Sequence, residues 1–236
     1  MTANPKIEDL RRRVSALESP GQDAEKAYVS FGLSDVDPAA GGGLALRRVH
    51  EFMGWSAQAL AIFMAGRIKG AILWCARMHS DHELYPAGFA ALGCDARRLV
   101  VAECSSPTDA LWAAEEGLRS GAAGAVVMEG ERPLDLGSAR RLQLAAEEGG
   151  ALGLIVSAGN DALFPAAASR WHIAPEPGGR FRLELTRSRT GLTGAWSITL
   201  GPGAPAPRPS LHSAGRTEKS RGEGRDDGGL VVAGRV

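Results

Sequence analysis

Short apolar runs alternate with helix-like segments between residues 44 and 157. One intervening segment, SSPTDALWAAEEGLRSG, begins with Ser, Pro, Thr and Asp and ends with Gly, as helix caps require. Near-continuous apolar strands are typical of a parallel sheet with both faces covered, and right-handed crossovers place the connecting helices on those faces. The predicted strands are LALRRVHEF, AILWCA, RLVVAE, AAGAVVME and ALGLIVS. We therefore predict an α/β fold with a mostly parallel sheet and helices on both faces.

After residue 157, apolar runs no longer alternate with helix-like segments. Three further apolar runs are separated by turns rich in Gly, Pro and Arg, namely SRWHIAP, GRFRLELTR and GAWSITLG. Runs joined by such short turns favour antiparallel pairing, and TRSRTG is the predicted hairpin turn between the last two. We expect antiparallel strands at the C-terminal edge of the sheet.

The two flanks of this region differ from it in composition. Residues 1–20 contain a predicted amphipathic helix that docks on the parent domain, on a partner or on a sister chain. Its apolar stripe consists of Ile7, Leu10, Val14 and Leu17. Residues 201–236 are dominated by Gly, Pro, Ser and charge, which predicts a disordered tail. Within that tail, LVVAGRV is either a short docking peptide or inert. The predicted core domain covers residues 21–200.

Net charge and apolar content limit the classes of function that this chain can have. Lys and Arg number 27 against 27 Asp and Glu, so the whole molecule lacks the positive bias common in proteins that coat nucleic acid. Any DNA contact is expected to be local or indirect. No run of about 18 apolar residues could span a bilayer, and the three cysteines show no C-x-x-C spacing. These features predict a cytoplasmic protein.

The segment HEFMGWSAQALA, residues 50–61, has the strand–glycine–helix frame in which many proteins hold nucleotide phosphates. Gly54 is followed five, six and seven residues later by Ala59, Leu60 and Ala61, where a phosphate loop would have Gly, Lys and Ser or Thr. Lys69 cannot substitute, because it lies about 14 Å farther along the helix at ~1.5 Å per residue. The frame is present without its phosphate-binding side chains.

The stretch VSFGLSDVDPAAGGGLALRRVHEFMG, residues 29–54, resembles the start of a RecA-type core. LYPAGFAALGCDARRLVVAECSSPTDALWAAEEGLRSGAAGAVVMEGE and FPAAASRWHIAPEPGGRFRLELTRSRTG continue the likeness, which covers about residues 29–200. Within that superfamily the chain is similar to the ImuA-type damage-inducible mutagenesis proteins of bacteria. This resemblance implies a RecA-like fold without a working ATP site. It also implies action beside a Y-family-like partner and an error-prone replicative-type polymerase in translesion synthesis.

Compared with RecA-type ATPases, three elements of the catalytic site are altered. Leu60 and Ala61 can neither bind phosphate nor hold magnesium. The Walker B position carries Glu129, and Arg77 stands where the resemblance places a catalytic acid. A cation cannot serve as a base there. We therefore predict no enzymatic activity and no cofactor. Weak anion binding at the helix N-terminus stays open, as does a helix that fills the vacated space with apolar side chains.

Direct DNA and metal contacts have weaker support. Arg182, Arg187 and Arg189 could contact phosphate or could lie on a solvated strand face. The loops expected to grip DNA in the RecA family are short here, so independent filament formation is not expected. His79 and His82 fit solvated or capping residues better than metal ligands, and no metal site is predicted.

The predicted function is that of a non-catalytic adaptor in a translesion synthesis complex. Its implied partners are a Y-family-like polymerase homologue of the ImuB type and, through the complex, an error-prone polymerase. RecA and a second copy of the chain are further candidates. Predicted docking surfaces are the N-terminal stripe, edge strands near residues 180–200, and the tail. The alternatives are a RecA-type ATPase that uses a neighbour's residues, and a stress-induced inhibitor of RecA filaments or of cell division.

Overall fold

The computed structural model describes residues 27–78, 84–189, 191–201 and 208–209. The predicted N-terminal helix, His79, His82 and most of the predicted tail lie outside these residues. The helices are α1 Val36–Ala39, α2 Ala57–Gly66, α3 Pro86–Ala91, α4 Pro107–Arg119 and α5 Leu136–Gly149, with a 3-10 turn at Ala96–Arg98. The strands are β1 Tyr28–Val29, β2 Leu44–Ala45, β3 Val49–Met53, β4 Ala71–Arg77, β5 Leu99–Cys104, β6 Ala123–Glu129, β7 Leu152–Ser157, β8 Ser169–Glu176, β9 Arg180–Ser188, β10 Gly194–Ile198 and β11 Arg208–Pro209.

In the described part of the chain, nine strands form one large sheet in the order β11-β10-β9-β8-β3-β7-β6-β4-β5. The pairs from β8 to β5 are parallel, whereas β8–β9, β9–β10 and β10–β11 are antiparallel. The predicted mostly parallel sheet with antiparallel strands at its C-terminal edge is confirmed. This architecture is consistent with the RecA-like fold that the sequence predicts.

Helices cover both faces of the sheet, as predicted. On one face, α2 contributes Leu60 and Met64 to a core that contains Phe52, Trp74 and Trp171. On the other face, small and medium side chains of α4 and α5 pack against the strands. That second core includes Ala110, Ala114, Leu118, Leu142, Ala146, Val126 and Ile155. The parallel strands are therefore apolar on both sides because both sides are buried.

Two details of the strand predictions are wrong. LALRRVHEF is not one strand, because Arg47 adopts a left-handed backbone conformation with φ 62° and separates β2 from β3. SRWHIAP forms β8, which pairs antiparallel with β9 as predicted and, on its other side, parallel with β3. The predicted edge near residues 180–200 is also incorrect for β9, which is hydrogen-bonded to β8 on one side and β10 on the other.

A buried histidine links β3 to β8. His50 Nδ1 lies 2.6 Å from Ser169 Oγ, and His50 Nε2 lies 3.0 Å from the carbonyl oxygen of Ala45. Because that carbonyl can only accept, Nε2 carries the proton and Nδ1 accepts from the Ser169 hydroxyl. Trp171 Nε1 donates to the same hydroxyl oxygen at 2.7 Å. The neutral imidazole thereby satisfies polar groups that the core has removed from water.

Acidification is expected to destabilise the fold through His50. Burial lowers the pKa of His50 to about 4, although the hydrogen bond to Ala45 raises it, and the charge of Arg48 lowers it further. The His50 imidazole therefore binds a proton near pH 6.5 in the unfolded chain but only near pH 4 in the folded chain. Stability should fall by about 1.4 kcal/mol per pH unit across that window. Urea denaturation at pH 7 and pH 5 measures the loss, and a His50→Gln variant that kept the same pH dependence would contradict its assignment to His50.

Candidate functional site

The segment Gly54 to Ala61 begins where the parallel strands β3, β6 and β7 reach their carboxyl ends. Such ends meet at one edge of the sheet and form the usual ligand crevice of open α/β folds. Gly54 follows β3 with φ 98°, and its N–H lies 3.0 Å from the carbonyl oxygens of both Ser157 and Gly159. The glycine amide that a phosphate loop could direct at an anion is thus bonded to the loop after β7.

The first turns of α2 are directed into the core. Leu60 and Ala61 are fully buried, and Ala57 is 2% exposed. Ser56 precedes the helix without a side-chain capping bond. The position of a phosphate-binding lysine therefore holds a leucine within the packed core.

Glu129, at the end of β6, is held by three donors. Its Oε1 accepts from Gln58 Nε2 and from Trp74 Nε1, both at 3.0 Å. Its Oε2 accepts from the backbone N–H of Arg77 at 3.2 Å. The Arg77 guanidinium forms an ion pair with Glu131. The carboxylate at the predicted Walker B position thus connects α2, β4 and β6.

Sequence reasoning did not identify Gln58 or Trp74 as partners of Glu129. Trp74 lies in an apolar run typical of a buried strand, where the indole N–H needs an acceptor. That requirement was the available signal, but the acceptor lies 55 residues away in the chain.

Gly54 should not tolerate a side chain. A Cβ at this position would lie 2.4 Å from the carbonyl oxygen of Ile173, in a backbone conformation with φ 98° that other residues rarely adopt. Gly178 has φ 77° with nothing within 4 Å, so it provides a matched control. We expect Gly178→Ala to cost about 1 kcal/mol for the backbone alone and Gly54→Ala at least ~2 kcal/mol more. Equal urea midpoints for the two variants would contradict the close approach.

A buried ion pair fixes the loop between β7 and β8. Glu51 is 1% exposed and accepts hydrogen bonds from the backbone N–H groups of Leu163 and Phe164, the latter at 2.9 Å. Arg170 pairs with the same carboxylate and donates to the carbonyl oxygen of Phe164 at 3.1 Å. The loop expected from the resemblance to face DNA is therefore anchored to the sheet.

The arginines predicted as DNA contacts are engaged with the protein in two of three cases. Arg182 forms an ion pair with Glu184, and Arg187 donates to the carbonyl oxygen of Pro165 at 2.9 Å. Arg189 is exposed after the end of β9. A DNA contact by these three residues stays a prediction.

A cleft of about 450 Å³ opens between the N-terminal ends of α4 and α5. It was not anticipated from the sequence, because residues from separate connections form its walls. Its charged lining mixes signs, with Arg77, Arg132 and Arg141 near Glu129 and Glu131. This mixture does not favour a single anion. Within the described ranges, no three His, Cys, Asp or Glu side chains converge as metal ligands.

Several large apolar side chains are exposed. Trp55, directly after Gly54, is 81% exposed, and Trp112 on α4 is 67% exposed.

No helix in the described part of the chain has the length and apolar character to cross a membrane.

Comparison with known proteins bears on the predicted resemblance. No family model matches the chain. Two curated proteins, each called Protein ImuA, from two strains of Caulobacter vibrioides (NA1000/CB15N and ATCC 19089/CB 15), are 34% identical to it over 133 residues. The match supports an ImuA-type protein. The aligned part covers 51% of this chain and 53% of each relative, so the chain spans about half the length of the curated relatives it matches. The ImuA-type prediction is confirmed, while membership of the RecA-like superfamily stays a prediction.

Proposed function

We propose that this ImuA-type chain is a non-catalytic adaptor of damage-inducible mutagenesis. In this role it helps to assemble a translesion synthesis complex in the cytoplasm. The observation that carries the proposal is the hydrogen-bond network of Glu129. Gln58 and Trp74 both donate to this carboxylate at the predicted Walker B position. Together with the similarity to Protein ImuA, this network supports a role through protein contacts.

The chemistry of the residues around Gly54 also supports a non-catalytic role. ATP hydrolysis needs a cation on the β and γ phosphates, a held magnesium ion and a positioned water. Leu60 provides a buried alkyl group, and the Glu129 carboxylate already accepts three hydrogen bonds. A triphosphate would have to displace these bonds and open the α2 core. Both steps cost free energy that backbone amides alone do not return.

Trp55 is the first candidate contact on the described surface. Tryptophan is enriched among the side chains that dominate protein interfaces. Trp55 projects from the loop between β3 and α2, which holds it through the bonds of Gly54. The N-terminal stripe of Ile7, Leu10, Val14 and Leu17 is a second candidate surface. The proposed partners are an ImuB-type Y-family-like homologue and an error-prone polymerase, with DNA contacted indirectly.

Capture of the tagged chain from DNA-damaged cells tests the adaptor. We expect the Y-family-like subunit and the polymerase to be recovered together. Trp55→Ala should reduce recovery at least about tenfold, as expected for an interface hot spot. Trp112→Ala changes a similarly exposed tryptophan on α4, and an equal loss of recovery in both variants would contradict the assignment of the contact to the loop that carries Trp55.

The same experiment separates the alternatives. Recovery of a cell-division protein without polymerase subunits would contradict the adaptor and support the inhibitor. Full recovery by Trp55→Ala would contradict Trp55 as a contact and direct attention to the N-terminal stripe, which Leu10→Asp tests in turn.

A further inference from the structure

Strand β5 lies at one end of the large sheet and pairs with β4 alone among the described strands. Val100 is 53% exposed and Val101 is 44% exposed. Because successive side chains of a strand point to opposite faces, both faces of β5 expose a valine. Apolar residues on both faces are typical of a strand inside a sheet.

Sheet edges are usually protected by lysine, proline, a bulge or a covering segment. β5 has the sequence LVVAEC, which includes neither lysine nor proline. Its pairing with β4 is regular from Leu99 to Cys104, so no bulge twists it away. Glu103 is the charged and exposed side chain of this strand, and within the described residues no segment covers Val100 or Val101, so the edge favours the addition of another strand.

The sequence contains a second copy of the β5 tetrapeptide. LVVA occurs at residues 99–102 in β5 and again at residues 230–233, which lie outside the described residues. From residue 202 to residue 229, Leu211 is the sole Leu, Ile, Val, Met, Phe, Trp or Tyr. The second LVVA is therefore an apolar, β-branched segment inside a polar one, and it repeats the first four residues of β5.

We propose that residues 230–233 add to the outer edge of β5 in the same chain. The added strand supplies backbone partners for the outward N–H and C=O groups of β5. Val231 and Val232 then lie on opposite faces and pack beside the exposed valines of β5, since β-branched cross-strand pairs stabilise sheets. This proposal stands apart from the adaptor function, because it concerns how the fold closes its own edge.

The length of the intervening segment permits this pairing. Pro209 belongs to β11, at the opposite end of the sheet. Nine strands at ~4.8 Å spacing place β5 about 38 Å away. Residues 210–229 can extend to about 68 Å and as a random coil span about 25 Å, so the linker covers the distance when stretched to about 1.5 times its random-coil span. A tethered segment has an effective concentration near the millimolar range, which favours the same chain over a second copy at micromolar concentration.

Hydrogen exchange of the full chain and of a variant that ends at Gly229 tests the proposal. We expect the outward-facing amides of Leu99–Cys104 to exchange at least tenfold faster in the shortened chain, while peptides from Ala71–Arg77 remain unchanged. Synthetic LVVAGRV at millimolar concentration should restore the protection. In the full chain, Val231→Asp combined with Val232→Asp should reproduce the loss, and Leu211→Asp should leave β5 protected.

Equal exchange of β5 in the full and shortened chains would overturn the proposal. Protection that rises with protein concentration, together with a dimer in sedimentation, would assign the edge to a second copy and would also overturn it. Neither result depends on polymerase capture, so this test is independent of the adaptor.

Discussion

Replacing Glu51 with alanine is expected to lower the free energy of unfolding by about 3–5 kcal/mol. The carboxylate is 1% exposed and pairs with Arg170. Its removal would leave a largely buried guanidinium without its counter-charge, and the N–H groups of Leu163 and Phe164 without an acceptor. Urea denaturation of the wild type and of Glu51→Ala at pH 7 measures the difference.

A surface ion pair provides the control for this result. Arg77 and Glu131 form a bridge in which the side chains are 47% and 38% exposed. Exposed pairs typically contribute at most ~1 kcal/mol, so Glu131→Ala should be nearly neutral. If Glu51→Ala cost no more than Glu131→Ala, the loop between β7 and β8 would not depend on the buried pair.

Replacing Leu60 with lysine is expected to destabilise the fold by several kcal/mol, on the order of the cost of burying an unpaired charge. The substitution restores the residue type of a phosphate loop at its usual position. The side chain at this position is fully buried in the core under α2, so the ammonium would lose water without gaining a partner. Thermal and urea denaturation measure the loss.

Leu60→Met is the matched control, because it conserves volume and apolar character and should cost less than ~1.5 kcal/mol. A Leu60→Lys protein as stable as the wild type would show that the position can reach solvent. Apolar side chains would then not fill the space of the former phosphate site.

Much of the sheet could be predicted because its strands follow a local rule. AILWCA and ALGLIVS are continuous apolar runs, and the structure forms strands at Ala71–Arg77 and Leu152–Ser157. Where a strand lies in the sheet is not a local property. RLVVAE matches an interior strand in composition, yet β5 is an end strand among the described residues, because the order depends on long-range pairing.

The candidate site also has a part that local sequence predicts and a part that depends on long-range contacts. Gly54 could be identified because a strand, a glycine and a helix follow one another in sequence. The bonds that occupy Glu129 join residues 71 and 55 positions apart, and no spacing rule predicts them. Arg47, whose left-handed conformation splits the first predicted strand, is not a residue type that turn rules single out.

Titration of the purified wild-type chain with ATP and magnesium by calorimetry measures whether the residues around Gly54 still bind a nucleotide. Because Leu60 is buried and Glu129 is already hydrogen-bonded to Gln58 and Trp74, we expect no saturable binding up to about 1 mM ATP, a free energy of binding weaker than about −4 kcal/mol. Saturable binding with a Kd of tens of micromolar or lower that magnesium strengthens would contradict the account and support an ATPase completed by a neighbouring chain.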